Sequence, residues 1–227
     1  MKNILLIFIM ALVPVVMTGQ NDDDTKGIKP GDLSSKLVAG AGLFSGYTML
    51  TGGLHHYFNN AVPIGISARV QYSIVVMEFE GCISFSQLRS DIPYDGGTWE
   101  QNSLVSMHFY EFMLGLDIGD KKHLSLCPYA GAGSTDFMRT QLFKDKDYEA
   151  GDGELAETFT WALGMNLDIN ISHLKPATDD NEGNLFQTYL RFGYKYTFPQ
   201  FENKYPGFGG NLQFFTIGLY LYGSASR

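Results

Sequence analysis

The sequence predicts an all-β fold, an eight-stranded antiparallel up-and-down β-barrel, from three observations. Apolar and polar residues alternate with period two from Lys36 onward, the mark of strands with unlike faces. The alternating runs are far longer than the five or six residues of an average soluble strand. The segments joining them alternate between long and short. Composition agrees, with 26 glycines, 17 Phe and 13 Tyr among 227 residues.

Before the first strand, "MKNILLIFIMALVPVVMTGQ" carries Lys2, an apolar run from Ile4 to Met17, then the small residues Thr18 and Gly19. This reads as a signal peptide over residues 1–19, cleaved near Gly19. The run is short for a membrane-spanning helix and contains Pro14. Residues 20–35, "QNDDDTKGIKPGDLSS", are polar and turn-rich and read as a flexible periplasmic leader. The barrel domain is expected over 36–223, with a tail at 224–227.

Strand one, 36–46, holds "AGAGLF", whose glycines suit a place where bulky groups must pass. A short helical piece is expected within Met49 to Asn60. Strand two, 62–72, carries Arg69, and a tight turn at Ser73–Ile74 brings Glu78 opposite it. Strand three, 75–87, sets Val75, Met77, Phe79, Ile83 and Phe85 against Val76, Glu78, Glu80, Cys82 and Ser84. Strand four, 102–118, places Glu111 and Asp117 on the polar face and Ser106 and His108 on the other.

Strand five, 122–138, contains Pro128, which needs a bulge or a late strand start because it cannot donate to a ladder. Strand six, 156–172, is the clearest. Phe159, Trp161, Leu163, Met165, Leu167, Ile169 and Ile171 face one way, and small or polar residues, Asp168 among them, face the other. Strand seven, 185–197, opposes Phe186, Leu190, Phe192, Tyr194 and Tyr196 to Arg191 and Lys195. Strand eight, 210–222, puts Phe215, Ile217, Leu219 and Leu221 against Phe214, Thr216, Gly218 and Tyr220.

Within strand six the run from Phe159 to Ile171 spans ~40 Å, which at ~45° tilt leaves about 28 Å along the barrel axis, close to the apolar thickness of a bilayer. The barrel is therefore expected to be transmembrane, with lipid outside. Tyr72, Phe159, Trp161, Tyr196, Tyr220 and Tyr222 are expected in interfacial girdles. The polar faces then enclose a charge network of Arg69, Glu78, Glu80, Glu111, Asp117, Asp168, Arg191 and Lys195. Eight strands leave room for little more than side chains, so a salt-bridged plug is expected rather than a gated pore.

This organisation resembles the small eight-stranded outer-membrane barrels of the OmpA and OmpX kind. The stretch "EFMLGLDIGDKKHLSLCPYAGAG", Glu111 to Gly133, resembles a hairpin of outer-membrane barrels from Bacteroidota-type bacteria. The resemblance implies an outer-membrane address and outer-membrane lipid as surroundings. It also implies a structural or surface-interaction role, with a narrow pore as a variant.

Other classes are weighed against it. A soluble lipocalin-like barrel would turn the apolar faces inward around an apolar ligand. A lipid A-modifying enzyme would use the outward Ser106 and His108, but the next acid on that strand, Glu111, points inward, so no catalytic residues are expected. His55–His56 lacks companion ligands, so no metal site is expected, and no cofactor either. Cys82 and Cys127 face inward on strands separated by a third and should be free thiols. The net charge of −8 and the lack of a basic stripe argue against nucleic acid. The long aromatic loops "DIPYDGGTW" and "FPQFENKYPGFGG" are candidate contacts for surface or envelope partners.

Overall fold

Each of the eight alternating runs forms a long strand, with some ends shifted by one to four residues. In the computed structural model, residues 37–94, 97–120, 123–139, 154–172, 186–203 and 205–225 are described. The segments expected to be a signal peptide and a leader, and the end of the expected tail, lie outside them. The elements are β1 (Leu37–Leu50), α1 (Gly52–Tyr57), β2 (Val62–Tyr72), β3 (Val75–Gln87), β4 (Ile92–Tyr94) and β5 (Gly97–Trp99). They continue with β6 (Leu104–Leu116), β7 (Ile118–Asp120), β8 (Leu124–Arg139), β9 (Glu154–Asn170), β10 (Phe186–Pro199), a 3-10 turn (Phe201–Asn203) and β11 (Leu212–Ala225).

Eight long strands pair antiparallel in the order β1, β2, β3, β6, β8, β9, β10, β11, and β11 returns to β1. Closure leaves the eight long strands without an edge strand, and β4 and β5 form a separate hairpin. Directly opposite residues trace a path from Thr48 through Phe214, Lys195, Gly164, Tyr129, Gly115, Val76 and Gln71 to Val38. The path regains β1 ten residues from its start, and such a stagger over eight strands tilts them by about 43°.

Pro128 is accommodated by its neighbour rather than by a bulge of its own. β6 and β8 pair as far as Gly115↔Tyr129, and pairing resumes at Ile118↔Leu126. The ladder is open where a Pro128 N–H would have been needed. In that gap Asp117 donates its own N–H to Ile74 O at 2.7 Å and turns its side chain inward.

Parity assigns the two faces. Phe159, Trp161, Leu163, Met165, Phe192, Phe215, Ile217, Leu219 and Leu221 are exposed on the outer wall, and Leu167, Ile169 and Ile171 are half-buried there. Leu43, Ile64, Met77, Phe112, Leu114 and Leu124 continue the belt around the barrel. A soluble barrel with an apolar pocket needs the reverse arrangement.

Two expected girdle residues are corrected. Tyr220 and Tyr222 are buried inside, because they share the inward parity of Phe214. β1 makes room for them: a Cβ added at Gly40 or Gly42 would fall within the Tyr222 or Tyr220 ring. Tyr72, Phe159 and Trp161 are exposed at the two ends of the belt.

Candidate functional site

The interior divides into two layers. Toward the rim of short turns lies the charge network, with Arg69, Glu78, Glu111, Asp117, Asp168, Arg191 and Lys195 all buried and Glu80 nearly so. Register sets Arg69 beside Glu78 on adjacent strands, yet the ion pairs run elsewhere. Arg69 reaches Asp117 at 2.9 Å and Asp168 at 3.0 Å. Arg191 holds Asp168 with Nε at 2.6 Å and Nη2 at 2.8 Å, and crosses to Glu78 at 2.6 Å. Lys195 binds Glu111 at 2.5 Å and also Glu80. The expected adjacent pair is thus replaced by struts between facing walls, because a long cation reaches past its neighbour to better-placed carboxylates.

β11 supplies an aromatic stripe to these cations. Arg191 lies 3.9 Å from the Tyr220 ring centre, Lys195 4.6 Å from Phe214 and Arg69 5.2 Å from Tyr222. The Tyr222 hydroxyl accepts from Arg191 and from Arg69 at 3.4 Å, and donates to Asp168 at 3.4 Å. Carboxylates outnumber cations in each cluster: Glu80 and Glu111 share Lys195, while Glu78, Asp117 and Asp168 share Arg69 and Arg191. Glu111 Oε1 has no hydrogen-bond partner among the described residues.

Toward the other rim the lumen is closed by an apolar cluster that no local sequence pattern announces. Phe44, Leu50, Phe109, Met107, Phe137, Leu212 and Phe214 come from the wall. Leu54 and Phe58 come from the first loop, Leu88, Ile92 and Trp99 from the second, and Phe201 and Phe208 from the last. Phe58 packs on Phe137 with ring centres 4.9 Å apart, and Phe137 on Phe201 at 4.7 Å. Backbone bonds lock these loops together: Thr51 N to Asn211 O at 2.9 Å, Gly53 N to Gly209 O at 2.5 Å and Arg89 N to Tyr57 O at 2.8 Å. The aromatic residues expected to meet partners are therefore largely plug. Trp99 is 1% exposed and Phe201 0%.

Among the described residues, those that the first, second and last long loops turn outward include the polar Arg89, Asp91, Glu100, Gln101 and Glu202. His55 and His56 are exposed on α1, and His55 Nε2 lies 2.8 Å from Arg89. Among the described residues no group of three candidate ligands stands close enough to hold a metal. Cys82 and Cys127 are buried free thiols. On the outer wall near the long-loop rim, Ser106 and His108 are within hydrogen-bond distance, 3.1 Å, although Ser106 itself is almost covered.

No family model matches the chain, and no curated protein matches it. Solved structures of similar shape include Ail, the attachment invasion locus protein of Yersinia pestis, at 10% identity and a TM-score of 0.48, covering 83% of this chain and 99% of that one. Neisserial surface protein A is similar at 7% identity and a TM-score of 0.46, covering 81% and 95%. The N-terminal β-barrel domain of OprF from Pseudomonas aeruginosa follows at 10% identity and a TM-score of 0.38, covering 83% and 98%. At these identities and scores the likeness carries no argument, and the barrel stands on this chain's own strand pairing.

Proposed function

We propose that this chain is an outer-membrane β-barrel with a sealed lumen, whose work is done at its surface rather than through its centre. One observation carries the reading: a continuous apolar belt encircles a closed barrel whose interior is charged. Water outside would leave that belt unpaid by any burial, whereas acyl chains cover it. The short turns then face the periplasm, and α1, the β4–β5 hairpin and the 3-10 turn face the exterior. The charge network holds the walls together, and the aromatic cluster closes the exterior mouth. Partners, if protein, meet the polar tops of those loops.

Membrane fractionation with a heat-modifiability gel tests the address. The mature protein is expected in the outer-membrane fraction and to change mobility on boiling. Recovery in the soluble fraction with a single mobility contradicts the proposal. Reconstitution in planar bilayers tests the seal, with no steady conductance expected.

A further inference from the structure

Ser106 and His108 stand two residues apart on β6 and share its outer face, with His108 Nε2 3.1 Å from Ser106 Oγ. When Nε2 engages the serine, an acid orienting the imidazole must approach from the Nδ1 side. β6 offers none there, since Glu111 faces the lumen. The adjacent strand does. The β6–β8 register sets Asp136 directly opposite His108, on the same outer face. Ser134 Oγ donates to Asp136 Oδ1 at 2.9 Å and fixes that carboxylate.

We infer that Ser106, His108 and Asp136 form a serine-hydrolase site on the outer wall that cleaves acyl esters of outer-leaflet lipids. The substrate class follows from position, and so rests on the membrane placement proposed above. The group lies one step beyond Tyr110 and Phe159 and beside the exposed Ile83 and Phe85 of β3, near the long-loop edge of the apolar belt, and ester linkages of lipids lie at that boundary. Ser106 Oγ bonds to the ester carbonyl carbon while His108 Nε2 takes its proton. The carbon–oxygen bond to the alcohol breaks, and His108 returns the proton to the leaving oxygen. Water then attacks the acyl-serine by the same route, releasing a fatty acid and restoring Ser106. Asp136 is a positioning residue for the imidazole. The Ser106 hydroxyl also lies 3.3 Å from Met138 O, an acceptor that must yield as the proton moves to His108.

The test uses the mature protein, folded by the criterion of heat-modifiability, in detergent with a fluorophosphonate probe. Parallel samples receive vesicles of ester phospholipid, vesicles of ether phospholipid, or lipopolysaccharide, and released fatty acid is measured by mass spectrometry. The probe is expected to label Ser106. Release is expected from one or both ester lipids, which distinguishes phospholipid from lipid A as the source, and none from the ether lipid. Ser106→Ala and His108→Ala should lower release by ~100-fold or more. Asp136→Asn should lower kcat with little change in KM. A folded wild type that is neither labelled nor active on any ester lipid overturns the inference, as does release that persists in Ser106→Ala. Either result leaves the barrel's membrane address untouched.

Discussion

Lys195 on β10 and Glu111 on β6 meet at 2.5 Å across the lumen, although β9 and β8 lie between them in the wall. Lys195 also binds Glu80, which the register places directly opposite Glu111. One cation therefore holds two carboxylates that would otherwise repel each other at close range. Removing the cation and removing one carboxylate must have very different effects.

Lys195→Met leaves Glu80 and Glu111 buried without a counter-charge and should destabilise the barrel by about 3–5 kcal/mol. Glu111→Gln removes the surplus carboxylate and should cost less than about 1 kcal/mol. The double variant should recover part of the Lys195→Met loss. Urea unfolding in detergent micelles, followed by tryptophan emission, measures all three.

Tyr222→Phe keeps the ring that packs on Tyr189 with centres 5.0 Å apart but deletes the hydroxyl shared by two arginines and Asp168. Hydrogen bonds to charged groups are worth about 1.5–3 kcal/mol, and a loss in that range is expected. Gly42→Ala should also destabilise, by about 1–3 kcal/mol, because its methyl meets the Tyr220 ring. The same unfolding assay measures both.

Trp99→Ala removes one of the largest fully buried side chains of the exterior plug and should cost about 3–5 kcal/mol. In planar bilayers it should convert a silent protein into one with fluctuating conductance. A charge-network variant such as Glu111→Gln, at the other layer, should stay silent.

Arginine scanning of the outer wall should show depth. Ile217→Arg, in the middle of the belt, should cost about 2–4 kcal/mol, whereas Gln200→Arg, beyond its edge, should cost about 0–1 kcal/mol. Equal, small effects at both positions would mean water outside. Folding yields into lipid vesicles read the difference.

Strand positions and faces were legible because period two is a local signal, strong in Phe159 to Ile171 and in Phe214 to Leu221. Inward placement of Tyr220 and Tyr222 was legible too, since they share parity with Phe214; the girdle expectation set chemical type above parity. The plug was not legible. Burial of Trp99, Phe201 and Phe208 depends on three loops folding back over one mouth, and no local pattern separates such residues from a contact surface. Nor was the partner of each lumen charge, because alternation gives the face but not which wall a long side chain reaches. Asp136 was missed because its relation to His108 exists only in the register between two strands. No pattern along β6 alone contains it.

The chain's two tryptophans offer the most direct test of where lipid lies. Trp161 is 55% exposed on the belt, whereas Trp99 is enclosed by the plug. In a Trp99→Phe background, the emission of Trp161 should be strongly quenched by bilayers with brominated acyl chains and little affected by aqueous iodide. Strong iodide quenching with no response to the brominated lipid would place water against the belt and contradict the account.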